Sequence, residues 1–137
     1  MRTTPKESEI QRAILDYLAA KHILAFRMQV GAVKADTRFF RFGTPGMADV
    51  LAFPWYQGTC KCGTLHHQIH PTWIELKTAT GKQSELQKSF ERQVTEQGHR
   101  YIVARSVDGF SVRWPLNRSQ GILTRLRGIS CDRAIAV

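Results

Sequence analysis

Helical and extended patterns alternate along this chain, and the alternation predicts an α/β fold. Two observations carry the expectation. Apolar residues recur at helical spacing over residues 6–22 and again from Ser84 to Gln97. Between and after those stretches come short β-prone runs bounded by Gly and Pro, the signature of strands. The chain has 137 residues, enough for one domain with a real core, and its 42% apolar content is that of a globular protein.

The first helix is expected over residues 6–22, with Thr3, Thr4 and Pro5 as start chemistry. Ile10, Ile14, Tyr17 and Leu18 form its buried stripe. Glu7 and Gln11, four apart, share a face beside that stripe, and Glu9 lies elsewhere on the helix. An acid in the first turn is also what the helix dipole favours, so Glu7 has a purely structural explanation as well.

Leu24 to Val30 reads as a strand, Gly31 to Thr37 as a loop, and Arg38 to Phe42 as a second strand with strong β propensity. Arg27, Lys34, Arg38 and Arg41 are interleaved here with Phe26, Phe39, Phe40 and Phe42. Such a mixture suits contact with phosphates and stacking on unpaired bases. The reading preferred from sequence puts the Phe side chains in the core and some of the Arg side chains on phosphate.

Gly43-Thr44-Pro45-Gly46 is a turn cluster, and it sets the start of an apolar strand running from Asp49 to Pro54. Residues 55–72 form an insertion holding Cys60, Cys62, His66, His67 and His70. Soft thiolates and imidazoles at short spacing suit a structural zinc, with Cys60, Cys62 and two of the three His as donors. The alternative is a β-hairpin tip whose Cys and His are incidental. Cys-x-Cys is tighter than usual zinc spacing, and three cysteines make no disulfide framework.

Residues 73–77, Trp-Ile-Glu-Leu-Lys, form a strand in which Glu75 and Lys77 share one face while Ile74 and Leu76 point into the core. A polar turn through Gly81 and Lys82 follows. The helix from Ser84 to Gln97 has Leu86, Phe90 and Val94 as its stripe and Gly98 as its stop. Ser84 and Gln87 have the spacing of a capping box; the functional alternative points the Gln87 amide toward Lys77. His99 to Arg105 is a further strand and Asp108-Gly109 a turn. From Val112 the pattern weakens into a short helix and a basic tail, in which Arg113, Arg118, Arg125, Arg127 and Arg133 face only Asp132.

The formal net charge is +9, which favours a polyanionic partner, most simply nucleic acid. No apolar run approaches a membrane span and the N-terminus lacks a signal-peptide pattern, so an intracellular, cytoplasmic protein with no membrane contact is expected. Asp49 and Glu75, on neighbouring strands, are the oxygen donors a divalent cation needs. Lys77 suits orienting or deprotonating an attacking water and offsetting phosphate charge. Taken alone, Glu-x-Lys is equally a solvated ion pair on a strand face.

The stretches Glu7 to Ile14, Arg41 to Asp49, Ile74 to Lys77 and Ser84 to Gln87 together resemble the VRR-NUC family, a branch of the PD-(D/E)XK nuclease superfamily. The resemblance spans roughly residues 4–108. It implies a restriction-endonuclease-like α/β core, a central mixed sheet flanked by helices, as a nuclease domain over 1–110 with a basic extension over 111–137. It further implies that Asp49, Glu75 and the Leu76 carbonyl ligate Mg²⁺ or Mn²⁺, and that Lys77 positions the water. Gln87 would support the site, and Glu7 would approach the metal through water with Gln11 beside it. Standalone members are similar to Holliday junction resolvases and often act as homodimers, in the host cytoplasm where phage-encoded.

The family's usual Pro-Asp is Ala48-Asp49 here, and the insertion is longer than the family needs. The expected function is thus a metal-dependent endonuclease acting on branched or structured DNA, such as a Holliday junction or flap, with Arg27, Lys34, Arg38, Arg41 and Lys82 on the DNA. The competing readings are a non-catalytic nucleic-acid-binding module on the same fold and a zinc-stabilised interaction domain.

Overall fold

A mixed four-stranded sheet carries the fold. The computed structural model describes residues 5–35, 38–59 and 65–114. In chain order the elements are α1 (Glu7–Ala20), β1 (Leu24–Arg27), β2 (Gly31–Ala35), β3 (Arg38–Phe42), β4 (Val50–Phe53), β5 (Trp55–Thr59), β6 (Leu65–Ile69), β7 (Thr72–Leu76), α2 (Glu85–Glu96), β8 (Arg100–Ala104) and α3 (Val107–Arg113). The main sheet has the order β1-β4-β7-β8. Its first two pairings are antiparallel, and β7 and β8 are parallel. A parallel pair needs a crossover, and α2 supplies it. The expected α/β class, with helices flanking a mixed sheet, is what the chain adopts.

Alternation along the strands splits the core in two. Val50, Ala52, Ile74, Leu76, Ile102 and Ala104 share one sheet face and pack on Ile10, Ile14 and Leu18 of α1 and on Phe110 and Trp114. On the other face, Phe90 and Val94 of α2 meet Ala48, Met47, Trp73 and Tyr101. Glu75 belongs by alternation to this second, α2 face.

The start of α1 differs from expectation. Lys6 is its N-cap, and Glu9 rather than a Thr closes it, Glu9 Oε2 accepting the Lys6 N–H at 2.9 Å. Thr3 and Thr4 lie outside the described residues. The helix ends in a Schellman motif. His22 takes the left-handed φ of 55°, its N–H bonding Ala19 O at 2.9 Å, while the Ile23 N–H reaches Leu18 O at 3.0 Å.

Two expected irregular segments are regular. The loop expected over Gly31 to Thr37 contains β2 at Gly31–Ala35, because the β-prone β3 needs a partner for its backbone groups and finds it there. The turn expected at Asp108-Gly109 is the first turn of α3: Ser106 Oγ accepts the Gly109 N–H at 3.1 Å, and burial of Phe110 and Trp114 outweighs the glycine. The core therefore runs on to Trp114. The strand expected through Val30 ends at Arg27.

The insertion is a hairpin of β5 and β6, in register from Trp55↔Ile69 to Thr59↔Leu65. Cys60 and Cys62 lie outside the described residues, His66 and His67 fall in β6, and His70 follows it. No helix among the described residues is long and apolar enough to cross a membrane.

Candidate active site

The loop before β4 is built for close approach. The Met47 N–H bonds Thr44 O at 3.0 Å, with Pro45 and then Gly46 at φ 81° between them, a type II turn. A Cβ on Gly46 would stand 2.3 Å from the Leu86 carbonyl oxygen and 2.9 Å from the Gln87 nitrogen. Only glycine lets this turn rest on the first turn of α2, and Asp49 follows three residues later.

Asp49 is tied on both sides. Its carbonyl accepts the Met28 N–H at 2.8 Å, and its Oδ2 accepts the Leu76 N–H at 2.8 Å. The β4–β7 register pairs Val50 with Ile74, so one step further sets Asp49 across from Glu75. No other hydrogen bond among the described residues reaches the Asp49 carboxylate.

Glu75 is fully buried, an unusual place for a carboxylate unless it is paired. Lys77 Nζ stands 2.7 Å from its Oε1, so the shared strand face expected for the two residues is real. Gln87 Nε2 donates to the same oxygen. The Gln87 carbonyl oxygen meanwhile accepts the Ser84 N–H at 2.8 Å, and Ser84 Oγ accepts the Gln87 N–H at 3.3 Å. The cap and the approach of the Gln87 amide to Glu75 coexist, because the two ends of the amide point in different directions.

Burial pushes the Glu75 carboxyl above its ordinary range. Its bond to Lys77 opposes that rise, and the negative charge of Asp49 adds to it. Two carboxylates thus repel each other beside a single lysine.

Sequence reasoning missed Tyr101. Its hydroxyl lies 3.4 Å from Glu75 Oε2, the oxygen that Lys77 and Gln87 leave alone, and Gln83 is its other side-chain partner. Gln83 Nε2 in turn donates to Glu91 Oε2 at 2.8 Å. Burial first, and then the Glu75 charge, hold the phenol far above its ordinary value, so it stays a donor. Arg105 was missed too: its Nη1 donates to the carbonyls of Thr78 and Gly81 at 2.5 and 2.8 Å, pinning the turn after Lys77. A tyrosine and an arginine in a strand read as core and surface, and nothing local reveals the parallel β7–β8 register that brings them here.

A cavity of about 420 Å³ opens at Asp49, lined also by Glu7, Ser8, Gln11, Arg27 and Leu76. The structure therefore gathers Glu7, Gln11, Asp49 and Leu76 around one space. Glu75, Lys77 and Gln87 form a hydrogen-bonded cluster that does not line it, and Asp49 joins the two. Arg27 sits at the cavity, Lys34 and Arg38 are exposed on the β2–β3 hairpin, Arg41 lies in β3, and Lys82 is exposed beyond the pinned turn.

Hard carboxylate oxygens suit Mg²⁺ or Mn²⁺, which hold several waters and need only one or two carboxylates. The mutual repulsion of Asp49 and Glu75 fits such an ion. Among the described residues no three Asp, Glu, His or Cys side chains converge as a ligand set. Compared with protein-family models, curated proteins and solved structures, the chain matches none of them.

Proposed function

We propose that this protein is a metal-dependent DNA endonuclease of the PD-(D/E)XK type, related to the VRR-NUC family, and that it hydrolyses phosphodiester bonds in branched or structured DNA. The observation that carries the reading is the convergence on Glu75. Asp49 stands across from it, and Lys77 and Gln87 both bond its Oε1. A structural ion pair alone would not need the second carboxylate, Asp49, at which the cavity opens.

Asp49, Glu75 and the Leu76 carbonyl would hold Mg²⁺ or Mn²⁺, with Glu7 reaching it through water. The ion, when bound, supplies positive charge to the phosphodiester and lowers the pKa of a bound water. Lys77 orients that water and offsets phosphate charge. Gln87 fixes the Glu75 rotamer. The surplus of 20 basic over 11 acidic residues supports a DNA partner. Two symmetric cuts in a junction would call for a two-fold dimer.

The test is cleavage of a labelled four-way junction, flap, single strand and linear duplex with Mg²⁺ or Mn²⁺, for wild type and Lys77→Ala side by side. Metal-dependent cutting by wild type, lost in a folded variant that still binds DNA, is expected. Equal turnover by the variant, or no cutting of any substrate, would overturn the reading.

A further inference from the structure

The β2–β3 hairpin departs most from what the sequence suggested. Its phenylalanines were expected in the core, yet Phe39 is 61% exposed, as is Phe26 at 49% on β1. Val33, on the same hairpin, is 53% exposed. The hairpin is a two-stranded sheet of its own, apart from the main sheet. Two strands alone are marginal in water, and exposed apolar side chains on them offer a surface to a partner.

Register says which partner that surface suits. Lys34 is the direct cross-strand partner of Phe39, so the two share a face, whereas Arg38, one residue before Phe39, belongs to the opposite face. An exposed aromatic ring with an exposed cation directly across from it on the same face is poorly suited to an apolar protein partner. It matches a base stacked on the ring with a phosphate beside it.

The hairpin is also anchored at the site. Gln29 and Val30, before β2, line the Asp49 cavity, and a Cβ on Gly43, just after β3, would lie 2.6 Å from the Gln29 carbonyl. Phe39 stands three residues from the foot, about 10 Å out at strand rise.

We propose that this hairpin is a stacking platform for single-stranded DNA, in which Phe39 takes an unpaired base and Lys34, on the same face, takes the adjoining phosphate. The platform rests on the nuclease reading for its use: it would select DNA with unpaired bases beside the scissile bond, such as a flap or an open junction arm, over plain duplex.

The experiment measures binding by the full chain in EDTA, so that no cleavage intervenes, to a fluorescent oligothymidine and to a blunt duplex. Phe39→Ala is expected to weaken single-strand binding by about 5- to 150-fold, the range of one lost base stack, with duplex binding and melting temperature little changed. Phe39→Trp is expected to restore it. Lys34→Ala should weaken both ligands and lower the salt dependence.

Equal single-strand affinity in wild type and Phe39→Ala would overturn the platform, as would equal losses on both ligands or no single-strand binding by wild type. A wild-type dimer that Phe39→Ala dissociates without affecting DNA binding would also overturn it, assigning the face to a second copy. If wild type cleaves nothing but the Phe39 effect stands, the nuclease reading falls and the platform remains.

Discussion

Replacing Gly46 with alanine should do more than strain a turn. Two glycines in this chain have nearly the same positive φ: Gly46 at 81° and Gly98 at 83°. Their surroundings differ. A Cβ at Gly98 would meet nothing within 4 Å, whereas one at Gly46 would lie 2.3 Å from the Leu86 carbonyl oxygen and 2.4 Å from its carbon. Those are backbone atoms in the first turn of a helix, so no side-chain rotation relieves the clash.

The left-handed conformation costs an alanine about 1–2 kcal/mol at either position. Overpacking against fixed atoms adds about 1–3 kcal/mol at Gly46 alone. Gly98→Ala should therefore destabilise by about 1–2 kcal/mol and Gly46→Ala by about 2–5 kcal/mol. The entropy gained by stiffening the unfolded chain applies to both and cancels in the difference.

Urea unfolding followed by circular dichroism, with a common m-value, measures both losses. In any fraction that stays folded, the displaced α2 turn carries Gln87 away from Glu75, so cleavage should fall further than stability explains. If the two variants lose the same stability to within about 0.5 kcal/mol, the close approach of the loop to α2 is not what fixes Gly46.

Glu75 offers a test in pH. Burial raises its carboxyl above the ordinary value of 4.5, so the folded state binds this proton more tightly than the unfolded chain does. Its contribution to stability is full below 4.5 and is lost as pH rises through the folded value. The melting temperature of Glu75→Gln relative to wild type should therefore climb as pH rises above 4.5, and a constant difference would refute the raised value. Tyr101→Phe removes the hydroxyl at Glu75 Oε2 and should weaken Mn²⁺ binding, measured calorimetrically, by about 10-fold. Unchanged Mn²⁺ affinity would reduce Tyr101 to core packing.

Local patterns were legible because their physics is local. The stripe of Ile10, Ile14 and Leu18 repeats at the helical period and is buried as that period requires. The Ser84–Gln87 cap closes within a single turn, and alternation along β7 sets Glu75 with Lys77 on one face and Ile74 and Leu76 on the other. The irregular segments misled for a related reason. Gly31 to Ala35 is a poor strand on its own merits, and β3 recruits it; Asp108-Gly109 is a good turn on its own merits, and burial of Phe110 and Trp114 makes it helical.

By itself, then, the sequence determined the α/β class, the two main helices, and the candidates Asp49, Glu75, Lys77 and Gln87, each marked by a short-range spacing. Only the tertiary structure decided that Asp49 stands across from Glu75, that Tyr101 and Arg105 belong around the same site, and that Phe39 faces outward. These depend on strand order, parallel register and the approach of Gly46 to α2. Such contacts form between residues far apart in the chain, and no local periodicity records them.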